Sequence, residues 1–123
     1  KAATSRGVNP IIGLEAYLTP GTHRTDKARV SFGDGSGDDV SGAGAYTHLT
    51  LWAENTEGMH NLFRLASLAS LEGYYFKPRM DRELLETYHH GIIATTGCPL
   101  TSDLQYQLFI NLAHLKDIEV GLS

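Results

Sequence analysis

Tyr46-Thr47-His48-Leu49-Thr50-Leu51-Trp52-Ala53, continuing into Glu54-Asn55-Thr56-Glu57, is the stretch on which the fold turns. Its first half alternates. Tyr46, His48, Thr50 and Trp52 fall on one side of an extended chain and Thr47, Leu49, Leu51 and Ala53 on the other, so the His48 imidazole points away from the more apolar side. After Glu57 the period changes. Met59, Leu62, Phe63, Ala66 and Ala69 recur at steps of three and four, which predicts a helix from about residue 57 to 71. Asn55 or Thr56 can cap its free amides, and Glu57 in the first turn suits the helix dipole. A strand running into a helix places the chain in the α/β class.

Further strands are predicted over 11–18 and 91–96, each rich in branched or aromatic residues and bounded by Gly, Pro or Asn. A short helix is expected over 81–88, and a last one over about 102–116, with Leu104, Leu108, Leu112 and Leu115 on one stripe. Strands separated by helices predict parallel neighbours, because parallel pairs need long crossovers. Lys1 to Gly7 reads as the end of a helix with Gly7 as a left-handed cap, so the chain is expected to start in mid-element. Residues 19–45, rich in Gly, Asp and Ser, exceed ordinary loop lengths and are either functional or mobile, mobility being the favoured reading.

At 123 residues the chain holds one domain. No run reaches the roughly 18 apolar residues of a membrane span and no leader is evident, so a soluble, cytoplasmic protein without membrane partners is expected. One cysteine, Cys98, excludes an intramolecular disulfide and the multi-cysteine zinc frameworks; a metal site would have to rest mostly on His and carboxylates. The net charge of −4 argues against gripping nucleic acid through an overall basic surface, so any DNA contact is local or shared with other domains.

Three residues carry candidate chemistry. Glu15 sets a carboxylate within an apolar strand, where it needs a cation, a metal or a proton; a Glu paired with a nearby Lys or Arg is the plainer reading. His48 is a hydrogen-bonded structural histidine or a ligand. Cys98, after Thr95-Thr96-Gly97 at a strand end, is a small buried residue or a thiolate ligand. His23, His89 and His90 read as solvated. Lys77, Arg79 and Arg82 follow Tyr74-Tyr75-Phe76, an interleaving that suits a single strand of nucleic acid at Lys77 and Arg79, or else packing beside a solvated charge.

Longer motifs sharpen the choice. Asn9-Pro10-Ile11-Ile12-Gly13-Leu14-Glu15-Ala16-Tyr17, Tyr46-Thr47-His48-Leu49-Thr50-Leu51, Leu71-Glu72-Gly73-Tyr74-Tyr75-Phe76-Lys77-Pro78-Arg79 and Gly91-Ile92-Ile93-Ala94-Thr95-Thr96-Gly97-Cys98 resemble, in order and spacing, motifs of the polymerase-and-histidinol-phosphatase (PHP) domain of bacterial replicative DNA polymerase alpha subunits. The resemblance covers 1–99, while 100–123 keeps a helical pattern without the familiar residues, through divergence, a shifted reading frame or an artificial ending.

The resemblance implies an α/β fold that is part of a distorted (β/α) barrel, truncated at both ends. It also implies a parent chain that synthesises DNA from deoxynucleoside triphosphates, with magnesium, alongside other replicase subunits. Glu15, His48 and Cys98 match metal-ligand positions of that family, which in members with a complete set implies 3′–5′ exonuclease proofreading at a cluster of zinc, manganese or iron. The family's upstream "H-x-H" and "D-H-G" motifs, its later "D-x-H" and the polymerase palm are absent, so the chain alone is expected to be inactive. Two other readings remain open. One is a stand-alone phosphoesterase of the histidinol phosphatase type; the other is a non-catalytic module stabilising the polymerase.

Overall fold

The computed structural model describes residues 1–29 and 44–95, and the backbone of 119–121. Cys98, the helix expected over 102–116 and the middle of the 19–45 segment lie outside the described residues.

The opening turns form a 3-10 helix, Thr4–Arg6, closed by Gly7 in the left-handed conformation, as its sequence predicts. Strands β1 (Gly13–Leu18) and β2 (Thr47–Ala53) follow. Helix α1 (Thr56–Glu72) is capped by Asn55, whose side chain accepts from the Gly58 N–H at 2.9 Å. Then come β3 (Tyr74–Tyr75), β4 (Lys77–Met80), helix α2 (Arg82–Tyr88), β5 (Ile92–Thr95) and β6 (Glu119–Gly121).

The six strands lie in the order β3-β4-β1-β2-β5-β6. The expected parallel arrangement holds only in part. β2 runs antiparallel to both neighbours, β1 and β5, whereas β1–β4 and β5–β6 are parallel. The physical reason lies in β4, which fills the parallel position beside β1. The crossover through α2 then joins β4 to β5, strands of like direction with β1 and β2 between them. Among the described residues the sheet is open, with β3 and β6 at its edges and no closure into a barrel.

Both helices cover one face of this sheet. Ala16, Leu18, Leu49, Leu51, Met80, Ile92 and Ala94 from the strands meet Leu62, Leu65, Leu84 and Leu85 from the helices. Each fully buried leucine contributes about 1.5–3 kcal/mol relative to exposure. The buried face of α1 differs from the expected stripe. Leu62 and Ala69 are buried as predicted, but Leu65 is buried and Phe63 is 55% exposed. The helix is rolled toward the turn before β5, where Gly58 lies against the Gly91 backbone and the Asn61 amide donates to the His90 carbonyl at 2.9 Å. A polar anchor at Asn61 therefore sits where an apolar stripe would not have put it.

The described part of the 19–45 segment is tied down. Arg79, 1% exposed, donates from Nε to the Gly73 carbonyl, from Nη1 to Ala45, and from Nη2 to both Arg24 and Asp26. One guanidinium thus joins the start of the segment, its end and the residue after α1. Burial lowers the Arg79 pKa from its ordinary value, with Tyr75 and Asp26 working against that shift.

Candidate metal centre

The candidate residues lie on the sheet face opposite the described helices. Even-numbered residues of β1 and odd-numbered residues of β2 enter the core, so Glu15 and Tyr17 share the opposite face with His48 and Thr50. Register then sets neighbours. Glu15 pairs with Thr50 and Tyr17 with His48, which puts Glu15 and His48 on a cross-strand diagonal. Glu15 Oε1 lies 2.8 Å from His48 Nδ1. The strand geometry read from the sequence therefore brings these two candidates together. The Glu15 side chain is 61% exposed, however, so the desolvation expected for it inside an apolar strand is not what constrains it. Its partner is a histidine rather than the Lys or Arg of the plainer reading.

Two tyrosines, not singled out from the sequence, hold the imidazole edge-on. Ring centroids of Tyr17 and His48 are 5.1 Å apart, those of Tyr46 and His48 5.7 Å, and those of Tyr17 and Tyr46 5.2 Å, all near perpendicular. The available signal was the period of two, which puts Tyr17 beside Glu15 and Tyr46 beside His48. A carboxylate oxygen and an imidazole nitrogen on a solvent-reaching face are donors of the kinds that divalent metal ions accept. Cys98 follows β5, the strand beside β2, but itself lies outside the described residues.

His23, Asp81 and Glu83 form another group whose ligand atoms lie close enough to share an ion. His23 Nε2 is 3.8 Å from Asp81 Oδ2 and 3.6 Å from Glu83 Oε2. Arg24 Nη1 stands 3.0 and 3.4 Å from those same two oxygens, so a guanidinium already supplies the positive charge. Asp81 also caps α2, accepting from the backbone N–H of Leu84 and of Arg24. Burial alone would raise the Asp81 pKa, but the two backbone donors and the Arg24 guanidinium together hold it below the ordinary carboxylate range. Arg24 is raised in turn, chiefly by its hydrogen bond to Glu72. The group reads as an ion-pair hub joining the 19–29 segment to both helices, and a metal would have to displace Arg24.

Lys77 and Arg79 have different fates. Lys77 is exposed, with Nζ 5.3 Å from the Tyr17 ring centroid. Arg79 is enclosed and engaged with four carbonyls, so as placed it offers no surface to a phosphate, and the expected nucleic-acid contact at this residue is corrected to a scaffolding one.

The family model for the PHP domain matches residues 1–119, and the chain belongs to this family. Among individual proteins it is similar to DNA polymerase III subunit alpha of Saccharopolyspora erythraea, 57% identical over 106 residues, covering 79% of this chain and 9% of that protein. The corresponding subunit of Thermus aquaticus is 50% identical over 98 residues, covering 80% of this chain and 7% of the relative. That of Aquifex aeolicus is 43% identical over 98 residues, covering 80% and 8%. The chain therefore spans less than a tenth of the length of these relatives.

Among the described residues, no helix is long and apolar enough to cross a membrane.

Proposed function

We propose that this chain is part of the PHP domain of a replicative DNA polymerase alpha subunit, and that Glu15, His48 and Cys98 are ligands of a metal site serving 3′–5′ exonuclease chemistry. The parent, on this reading, is a cytoplasmic DNA-directed DNA polymerase working with magnesium, DNA, deoxynucleoside triphosphates and other replicase subunits. The observation that carries the reading is the 2.8 Å approach of Glu15 to His48 on the sheet face opposite the described helices, in a chain of the PHP family.

A divalent ion bound there would polarise a phosphoryl oxygen as a Lewis acid. The chain's own residues prepare the place. Tyr17 and Tyr46 fix the plane of the imidazole, Glu15 fixes its tilt through Nδ1, and the Lys77 ammonium adds positive charge beside Tyr17. A closed (β/α) barrel, completed by the rest of the domain, belongs to the same reading.

A structural module is the second reading, favoured by a specific observation: Glu15 and His48 already satisfy each other as a cross-strand pair. Exonuclease assays on the full-length polypeptide separate the two. Under the metal reading, Glu15→Ala or His48→Ala lowers single-strand 3′–5′ cleavage by at least roughly a hundredfold, since even outer partners of metal sites are worth 10–100-fold, while primer extension persists. Unchanged cleavage in both variants would leave the structural module standing.

A further inference from the structure

The sheet face that holds Glu15 and His48 continues onto a concentration of positive charge and aromatic surface. Four of the ten basic residues in this net-acidic chain, Lys27, Arg29, Lys77 and Arg79, stand over three rings. Lys27 Nζ lies 6.0 Å from the Tyr75 centroid, and the Arg29 guanidinium lies 5.9 Å from Tyr75 and 5.2 Å from Phe76. Arg79 is 5.0 Å from Tyr75, and Lys77 is 5.3 Å from Tyr17, whose ring touches His48. Tyr75 and Phe76 are themselves 4.6 Å apart.

The backbone supplies an independent observation. β3 and β4 form a hairpin in which Tyr75 pairs with Lys77 around a single residue, Phe76. Phe76 has φ 60, and among the described residues it is the one non-glycine with positive φ. A bulky residue in the left-handed region is strained, and glycine would sit there more easily. The strain holds an aromatic ring outward, 60% exposed, beside the Arg29 guanidinium. Such strain gathers where a side chain has a task. Arg79, through its bonds to the Arg24 and Asp26 carbonyls, fixes the segment that carries Lys27 and Arg29.

We infer that Lys27, Arg29 and Lys77, with Phe76 and Tyr75, form a platform that binds single-stranded DNA and leads its end to the Glu15–His48 site. Rings that accept any base, interleaved with cations that follow a phosphate backbone, are the chemistry by which an unpaired strand is held without regard to sequence. A duplex hides its base faces and gains nothing from Phe76. The direction of delivery rests on the metal reading above, whereas strand binding itself does not.

The test is fluorescence anisotropy with labelled oligo-dT and its duplex with oligo-dA, using the full chain with chelator present so that binding is read apart from any metal. The proposal predicts preference for the single strand. In Lys27→Ala/Arg29→Ala/Lys77→Ala the slope of log affinity against log salt falls by about 2, at roughly 0.7 per phosphate contact released. Phe76→Gly relieves the backbone, so its unfolding midpoint holds, yet it lowers affinity about tenfold through lost stacking. Equal affinity for duplex, no binding of either, a salt slope unmoved in the triple variant, or full affinity in Phe76→Gly would each overturn the platform. Ser67→Ala, on the exposed side of α1, should bind the strand like the original chain. Because binding is read with chelator present, a chain that binds the strand yet carries no metal by elemental analysis fails the metal reading and leaves the platform standing.

Discussion

At the residue scale, the candidate pair was legible because strand parity is simple. Residues two apart share a face, so Glu15 with Tyr17, and His48 with Tyr46 and Thr50, had to be considered together once both strands were recognised. Arg79 shows the opposite case. Its partners Arg24, Asp26 and Ala45 are 55, 53 and 34 positions away, and carbonyl acceptors have no sequence signature. The buried guanidinium yields a stability prediction. Arg79→Met keeps much of the volume but strands these carbonyls, and should cost about 3 kcal/mol, since each unsatisfied buried polar group costs on the order of 1–3 kcal/mol. Denaturant unfolding would measure it. A loss below about 1 kcal/mol would mean that water replaces the arginine without penalty.

At the element scale, the three anticipated strands and two of the anticipated helices stand near their expected places, because periods of two and of three to four persist through them. The β3–β4 hairpin was not foreseen. Pro78 lies inside β4, and the turn has Phe76 where a glycine or asparagine would have announced it. The roll of α1 was hidden for a related reason: its closest contact is backbone on backbone. Gly91 has φ 71 and approaches Gly58 so closely that a Cβ on Gly58 would collide with the Gly91 carbonyl. Gly58→Ala in a free helix would gain about 1 kcal/mol. Here the collision should reverse the sign, giving a net loss of about 1–3 kcal/mol, as overpacking does. Ser67→Ala, on the exposed side of α1, is the control and should be neutral or slightly stabilising. A stabilised Gly58→Ala variant in thermal unfolding would show that α1 does not press on the turn before β5.

At the scale of the whole molecule, the described helices pack on one sheet face, while Glu15, His48, Tyr17 and Lys77 share the other with Arg79, which the 24–26 segment covers. Class and layer content were legible from the alternation of strands and helices. Strand direction was not, because hydrophobic pattern records which face a residue occupies and carries no information on which way the neighbouring strand runs. The proposed metal chemistry uses the sheet face that holds Glu15 and His48, and the proposed strand platform lies beside it, where Lys77 stands over Tyr17. The most direct test of this account is metal content per chain by elemental analysis after purification and desalting, comparing the original chain with Glu15→Ala/His48→Ala/Cys98→Ala. The account predicts zinc, manganese or iron bound to the original and reduced to background in the triple variant. Equal metal in both, or none in either, would contradict it.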